Sequence, residues 1–216
     1  MMERRLAAIL AADVVGYARL MEGDEEATLA TLNAHRENID GLIARYRGRI
    51  FGSAGDSILA EFASPVEAVR CAAEIQRELE QKNAGLPEER RMRFRLGVNL
   101  GDVMAEGGNL FGNGVNIAAR LESLADPGGI CISQPVYDQI KSTLGFACTY
   151  LGEQEVKNIN DPIRTYRVIL NAGSRDTPRS TSIGAMMKRP AVAVLPFTNM
   201  SGDPEQEYFS DGRSCW

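Results

Sequence analysis

The hydrophobic pattern begins with a nearly unbroken apolar run, LAAILAADVV, which a single acid interrupts at Asp13. An apolar run of this length is typical of a strand buried on both faces, and it predicts a strand over residues 4–15. A buried strand has little reason to end in a carboxylate, so Asp13 is a candidate for chemistry. A simple turn residue is the alternative, because aspartate also favours turns.

The segments that follow have helical periodicity. Asp24 is a predicted N-cap, and the apolar spacing after it predicts a long helix that runs to about Tyr46. Ser64 is the predicted cap of a second helix, with Glu67 completing a capping box. The remaining predicted helical and loop segments are helices over 114–124 and 136–143 and a polar loop over 81–91.

Strand-like segments alternate with these helices. The stretch RIFGSAGDSILAEF contains two short apolar runs with Gly55-Asp56 between them, which predicts a hairpin. Further strands are predicted over 94–103, 130–132, 147–155 and 165–170. The order of elements predicts an α+β or α/β sandwich in which helices cover one sheet.

A change of composition marks the end of this unit. Residues 171–190 are rich in Ser, Thr, Gly, Pro and Arg, which is typical of a linker. The run AVAVLPF at 191–197 is again strand-like and predicts the opening of a second domain. The predicted organisation is therefore one domain over 1–170, a linker over 171–190 and a domain start over 191–216.

Composition narrows the function classes. A net charge of -5 argues against nucleic acid or an anionic membrane as the main partner. No apolar run approaches the ~18–20 residues of a membrane span, so we expect no membrane insertion. The four cysteines form no C-x-x-C pair, and they favour a reducing, cytoplasmic location over a zinc or redox site.

Asp56, at the tip of the predicted hairpin, is a second candidate acid beside Asp13. If the two strands are neighbours, the carboxylates converge at one end of the sheet. Hard oxygen ligands of this kind suit Mg²⁺ or Mn²⁺. Periodicity alone leaves open the alternative that both acids only make turns.

Other polar residues are candidates with equally simple alternatives. Asn116 and Arg120 lie four apart and share a helix face, as either functional groups or a surface pair. Lys157 is a lone cation at a strand end, where a solvated lysine is the alternative. His35, the single histidine, falls on the polar side of its predicted helix and is expected to be solvated. One histidine excludes a Ser-His-Asp triad or a two-histidine metal site within one chain.

Five stretches together resemble class III nucleotidyl (adenylyl/guanylyl) cyclase domains: AADVVGYARLM, FGSAGDSILAEF, LGVNLGDV, NLFGNGVNIAARLE and LGEQEVKNI, in this order. The resemblance covers about residues 4–170. It implies an α+β fold of the ferredoxin-like (βαββαβ) type, with one mixed sheet covered by helices. It also implies a homodimer whose active sites lie between two cyclase domains. A diguanylate-type cyclase is excluded, since GSAGDS lacks the Gly-Gly-Asp/Glu-Glu-Phe pattern.

The resemblance also implies roles for the candidate residues. Asp13 and Asp56 match the acids that hold two Mg²⁺ or Mn²⁺ ions per active site. Asn116 and Arg120 match transition-state residues that the other subunit contributes. Lys157 matches a lysine that binds the triphosphate. The implied reaction forms a 3′,5′-cyclic nucleotide and pyrophosphate.

The residues expected to contact the nucleotide itself depart in part from the family pattern. The backbone at Val14, Gly16 and Tyr17 is expected to meet the phosphates. Gly52 stands where adenylyl members usually have a base-reading Lys, and Asn109 stands where they have Asp or Thr. An asparagine amide can both donate and accept, so either purine fits. ATP is the expected substrate by analogy with bacterial members, with a guanylyl cyclase or a catalytically silent nucleotide-binding or dimerising module as alternatives.

Two more features follow from family resemblance. Asp102 falls where some relatives place a phosphate-binding Arg. The tail KRPAVAVLPFTNMSGDPEQEYFSDG resembles the first strand and turn of TolB-like domains, cut short here. The chain is therefore expected to be a piece of a longer, regulated cyclase.

Overall fold

The structure is a computed structural model that describes residues 3–155 and 162–170. Within these residues the chain forms eight strands, five α-helices and a short 3-10 helix at Glu88–Arg90. The strands are β1 (Glu3–Val14), β2 (Arg49–Ala54), β3 (Ser57–Phe62), β4 (Phe94–Glu106), β5 (Asn109–Phe111), β6 (Ile130–Ser133), β7 (Ala147–Gln154) and β8 (Ile163–Ile169). The helices are α1 (Tyr17–Gly23), α2 (Glu25–Arg45), α3 (Pro65–Asn83), α4 (Asn113–Leu124) and α5 (Gln134–Ile140).

The strands form one mixed sheet in the order β2-β3-β1-β4-β6-β8-β7. β5 lies off this path and pairs with the end of β4. β4 and β6 are parallel, and the other paired strands are antiparallel. The first four strands of this path, with α2 and α3 as crossovers, have the predicted ferredoxin-like βαββαβ arrangement.

Helices lie on both faces of the sheet, and each face has its own core. The larger core joins alternate residues of β1 to α2, α3 and α5. The smaller core lies on the second face, where α4 covers part of β1 and β4. Its buried members are Ala7, Ile9, Ala11, Val103, Leu110 and Ala118. Asp13 follows these residues in the period-two alternation of β1, so its side chain belongs to the second face.

Most predicted boundaries are confirmed, and the differences are local. The predicted caps hold, since Asp24 accepts from the amide of Ala27 and Ser64 accepts from the amide of Glu67. The prediction that Glu67 completes a capping box is not confirmed, because among the described residues the Glu67 carboxylate pairs with Arg70 instead of the Ser64 amide. The polar segment 81–91, predicted to be a loop, instead extends α3 to Asn83 and then forms the 3-10 helix. The short helix α1 and the three-residue strand β5 were not predicted, because neither is long enough to show periodicity.

The prediction of a solvated His35 is wrong. His35 is only 4% exposed, and its ring meets Phe94 edge-on at a centroid distance of 6.3 Å. Neither ring nitrogen has a hydrogen-bond partner in the described structure. Burial and, to a smaller degree, the charge of Lys82 lower the pKa of His35 to about 4. The imidazole is therefore neutral near pH 7.

The two outermost strands of the described sheet are irregular. The pairing of β2 with β3 shifts register between Ile50 and Gly52. The pairing of β7 with β8 shifts between Tyr150 and Gly152, and Gly152 has a left-handed φ of 99°. Each shift marks an extra residue of the kind found in β-bulges, which bend and twist a strand.

Two structural observations concern the predicted surroundings of the chain, one on its helices and one on its cysteines. None of the helices in the described ranges combines the length and apolar character that crossing a bilayer needs. Cys71, Cys131 and Cys148 are all free thiols. The predicted linker over 171–190 and the domain start over 191–216 lie outside the described residues.

Candidate active site

Asp13 lies one residue before the end of β1, with a side chain that is 24% exposed. The Ser57 hydroxyl donates to Asp13 Oδ1 at 3.1 Å. Arg95 Nη2 donates to Asp13 Oδ2 at 3.2 Å. The carboxylate is therefore fixed from two sides, by β3 and by β4.

Asp56 reaches the same place from the hairpin between β2 and β3. Gly55, with a φ of 57°, makes the left-handed step that turns the chain here. The Val14 amide donates to Asp56 Oδ2 at 3.2 Å, which ties the hairpin tip to the end of β1. The two acids, 43 positions apart in sequence, thus meet because β1 and β3 are neighbours in the sheet.

The two carboxylates oppose each other electrostatically. Burial raises the pKa of Asp56, and the nearby Asp13 carboxylate raises that pKa further. A divalent cation would relieve this repulsion, and carboxylate oxygens are the ligands that Mg²⁺ and Mn²⁺ prefer. In the described ranges, no group of three or more His, Cys, Asp or Glu side chains is spaced to hold a metal. The donor set that fits such an ion is therefore two carboxylates, with oxygens of water or of a bound ligand completing the shell.

Two further charged residues adjoin this pair, and sequence reasoning missed both. Arg95 lies opposite Asp13 in the β1–β4 register. Its Nε is 3.0 Å from Glu122 Oε1 on α4, an ion pair whose angle is not that of a hydrogen bond. Burial raises the pKa of Glu122 to about 7; the Arg95 charge opposes that rise, and the charges of Asp13 and Asp56 add to it. Arg95 is thus shared by Asp13 and Glu122, and with Asp56 close to Asp13 the acids outnumber the cations, which favours a bound cation.

Helix α4 is seated directly on the backbone of β4. A Cβ added at Gly97 would lie 2.2 Å from the Glu122 amide nitrogen and 2.3 Å from the Ala118 carbonyl oxygen. Asn99, which is buried, donates from Nδ2 to the Gly114 carbonyl at 3.0 Å and holds the start of the helix. The close packing fixes the position of every residue on α4 relative to the sheet.

Asn116 and Arg120 lie on the outer face of this helix. Both are exposed, whereas Ala118 and Leu121 are buried against the sheet. Neither side chain makes a hydrogen bond or an ion pair within the part of the chain that the structure describes. The two groups are therefore free to meet another molecule.

The predicted base-reading positions lie on two different elements of the second face. Gly52 is half-buried on β2, where an added Cβ would lie 3.3 Å from Leu59 Cδ1. Asn109 is exposed at the start of β5. β2 and β5 approach each other although two strands, β3 and β1, separate β2 from β4 in the sheet. The β4–β5 hairpin therefore folds back over the second face toward β2.

The predicted phosphate contacts are only partly available. The Val14 amide already donates to Asp56, and the Val15 amide donates to the Arg93 carbonyl at 2.8 Å. Gly16, with a φ of 67°, precedes α1 without a side-chain cap. Amides that remain for phosphate therefore begin at Gly16 and continue through Tyr17 into the first turn of α1.

Two residues of the sequence prediction stand apart from this cluster. Lys157 lies outside the described residues. Asp102 is exposed and pairs with Arg4 at 3.5 Å. The role of Asp102 is thus that of a surface ion pair in this chain, which contributes little to stability.

Comparisons with known proteins agree with this fold. A relative in Rhizobium meliloti (strain 1021), named "Putative adenylate cyclase 3", is 47% identical over 212 residues, which are 97% of this chain and 36% of the relative. The chain thus spans about a third of that protein. A solved adenylate/guanylate cyclase/hydrolase from Silicibacter pomeroyi is 44% identical with a TM-score of 0.75, over 78% of this chain and 99% of that one.

A more distant structure shares the fold alone. The adenylyl cyclase CyaB from P. aeruginosa is 23% identical with a TM-score of 0.69, over 78% of this chain and 96% of that one. The family model for the adenylate and guanylate cyclase catalytic domain matches residues 2–170. This chain therefore belongs to the adenylate and guanylate cyclase catalytic domain family.

Proposed function

We propose that this chain converts ATP into 3′,5′-cyclic AMP and pyrophosphate for intracellular signalling, at active sites shared by two copies of the chain. The observation that carries the proposal is the meeting of Asp13 and Asp56 at one end of the sheet. Asn116 and Arg120, which are exposed and have no side-chain partner among the described residues, would supply the second half of the machinery.

The reaction requires the ribose 3′-hydroxyl to attack the α-phosphorus while pyrophosphate leaves. Asp13 and Asp56 would hold two Mg²⁺ or Mn²⁺ ions, with Ser57 and Arg95 keeping the Asp13 carboxylate oriented. Bound there, the ions would acidify the hydroxyl and neutralise the triphosphate. The amides of Gly16 and Tyr17 closely follow Asp13 in sequence and would donate to phosphate oxygens.

The partner chain would supply the groups that act on the transition state. Arg120 would place its planar donors on the charge that develops at the five-coordinate phosphorus. Asn116, one turn earlier on the same face, would hold the ribose so that the hydroxyl is in line. Because a two-fold dimer repeats each contact, a homodimer would contain two equivalent sites.

ATP is the proposed substrate because relatives carry adenylate cyclase names, among them proteins of Rhizobium meliloti and Streptomyces coelicolor. Gly52 offers no side-chain donor to the base, which leaves discrimination to Asn109 and to the surrounding shape. Since an amide serves either purine, GTP belongs in every assay as a second substrate.

The direct test is cyclic nucleotide formation by the full chain with Mn²⁺ and either ATP or GTP. The inactive variant is Asp56→Asn, which removes charge but keeps size. It should fold at least as stably as wild type, because the charged form is the one disfavoured in this site. Asp40→Asn, an exposed acid on α2, is the matched control and should retain activity. No product above the Asp56→Asn background at high protein concentration would refute the enzyme proposal.

The shared site is tested by complementation. Arg120→Ala should lower turnover by roughly 10²–10³, as for the loss of one transition-state donor, with nucleotide binding little changed. Mixing it with Asp13→Asn should restore about a quarter of the wild-type rate, since half of the random dimers contain one intact site of two. Two folded and dimeric variants that fail to complement would contradict a site built from both chains.

A further inference from the structure

A buried carboxylate on the second face is held by two arginines that the proposed mechanism does not use. Glu61 on β3 is 9% exposed and lies opposite both Ile9 of β1 and Arg49 of β2 in the sheet register. Arg5 contacts Glu61 Oε2, and Arg49 contacts Oε1 through Nε and Nη2 at 2.5 Å. A buried charge is costly unless it is paired, and here both oxygens are paired.

Arg49 has one more donor, and it reaches across the face. Its Nη1 donates to the Gly108 carbonyl at 2.7 Å. Gly108 lies in the two-residue turn of the β4–β5 hairpin, where Gly107 and Gly108 have φ values of 58° and 87°. Two positive φ values are those of a type I′ turn, which closes the hairpin tightly. Asn109 is the next residue.

The hairpin is held down in two different ways. Leu110, 4% exposed, packs into the smaller core together with Ile9. Apolar packing of this kind is non-directional. The Arg49 bond is directional, because a guanidinium is planar and Glu61 already fixes two of its nitrogens. Glu61 therefore sets the direction in which Arg49 Nη1 points. That direction in turn sets the height of the hairpin tip over β2.

We propose that Arg49, oriented by Glu61, is a positioning residue that sets the distance between the Asn109 end of the hairpin and Gly52 on β2, and thereby sets the purine preference of the site. This inference rests on the proposed cyclase function. It adds that specificity depends on a charge cluster that touches neither substrate nor metal. With two small or neutral residues at the base-reading positions, the shape between β2 and β5 is the discriminating element.

The first measurement is hydrogen exchange of the hairpin peptide, residues 104–112, in the dimeric protein without nucleotide. Arg49→Lys keeps the charge and loses the planar fork, and Glu61→Gln keeps the size and loses the charge. Both should speed exchange in this peptide. Arg4→Lys is the matched control, because Arg4 lies at the same end of the sheet and, among the described residues, its side chain bonds only the exposed Asp102. Its exchange should equal that of wild type.

The second measurement is the ratio of kcat/KM for ATP to kcat/KM for GTP. A loss of folded or dimeric protein scales both substrates equally, whereas a moved hairpin changes their ratio. Arg49→Lys and Glu61→Gln should each change it by more than about threefold, and Arg4→Lys should not.

Unchanged exchange in the hairpin, or a ratio within about threefold of wild type in both variants, would overturn the inference. If the wild-type chain forms no cyclic nucleotide, the proposed function fails instead, and hydrogen exchange still reports whether Arg49 holds the hairpin.

Discussion

The contact between α4 and β4 at Gly97 leaves no room for a single added methyl group. In Gly97→Ala the new Cβ would lie 2.2 Å from the Glu122 nitrogen and 2.3 Å from the Ala118 oxygen, both of them backbone atoms. Ordinary contact begins near 3.4 Å. The helix must therefore move outward by about 1 Å, because neither neighbour can rotate away. Overpacking of this kind typically costs about 1–3 kcal/mol of unfolding free energy.

The displaced helix carries the residues on which the proposed reaction depends. A misplacement of about 1 Å can cost on the order of 10² in rate. Gly97→Ala should therefore unfold at lower urea and should lose most cyclase activity while it remains folded. Both effects come from one displacement, so they should appear together.

A second glycine provides the control. Gly41 lies in α2, where an added Cβ meets nothing within 4 Å. Gly41→Ala should stabilise the chain by up to about 1 kcal/mol, because alanine favours a helix over glycine. Urea denaturation followed by circular dichroism, with cyclic nucleotide assays on the same samples, measures both variants. If Gly97→Ala matches wild type in stability and rate, the account of α4 seated on bare backbone is wrong.

Two other predictions concern buried charge. His35 has a folded pKa of about 4 against 6.5 in the unfolded chain, so the unfolded state takes up the proton first and stability should fall as the pH drops from about 6.5 to 4. The free energy of unfolding should decrease by about 3 kcal/mol over this range. His35→Leu should flatten the corresponding part of a plot of urea midpoint against pH. An equal slope in both proteins would exclude His35 as the source of the decrease. At a pH above 7, where Glu122 is ionised, Glu122→Gln should raise the Mn²⁺ concentration that half-saturates the site by roughly threefold to tenfold, because it removes nearby negative charge and leaves Arg95 to Asp13 alone. Manganese titration by electron paramagnetic resonance measures this without turnover, and an unchanged or tighter affinity would contradict it.

Features that depend on a few neighbouring residues could be predicted from the sequence. The caps at Asp24 and Ser64, the hairpin tip at Asp56 and the end of β1 at Asp13 all follow from local residue types. The convergence of Asp13 and Asp56 needed one further assumption, that their strands are neighbours. In the structure β1 and β3 are paired, so that assumption is correct.

Features that depend on register and burial could not be predicted in this way. Arg95 is an ordinary strand arginine until β4 is aligned with β1, which places it opposite Asp13. The sequence pattern misleads at His35 because Leu29, an apolar residue of α2 that a helical stripe would include, is in fact 41% exposed. The true buried stripe runs through Thr28, Leu32 and His35, since α2 packs against α3 as well as the sheet. A polar residue within a buried stripe carries no periodic signal of its own.

The irregular outer strands have a consequence for how copies of this chain can assemble. A straight edge strand offers unpaired amides and carbonyls to any strand that comes near, and sheets extend or aggregate through such edges. The extra residues beside Gly52 in β2 and Gly152 in β7 interrupt this regular hydrogen-bonding pattern in both edge strands of the described sheet. Growth of a continuous sheet through either margin is thereby discouraged. The proposed pairing of two copies through the second face, where Asn116 and Arg120 are exposed, requires no free strand edge.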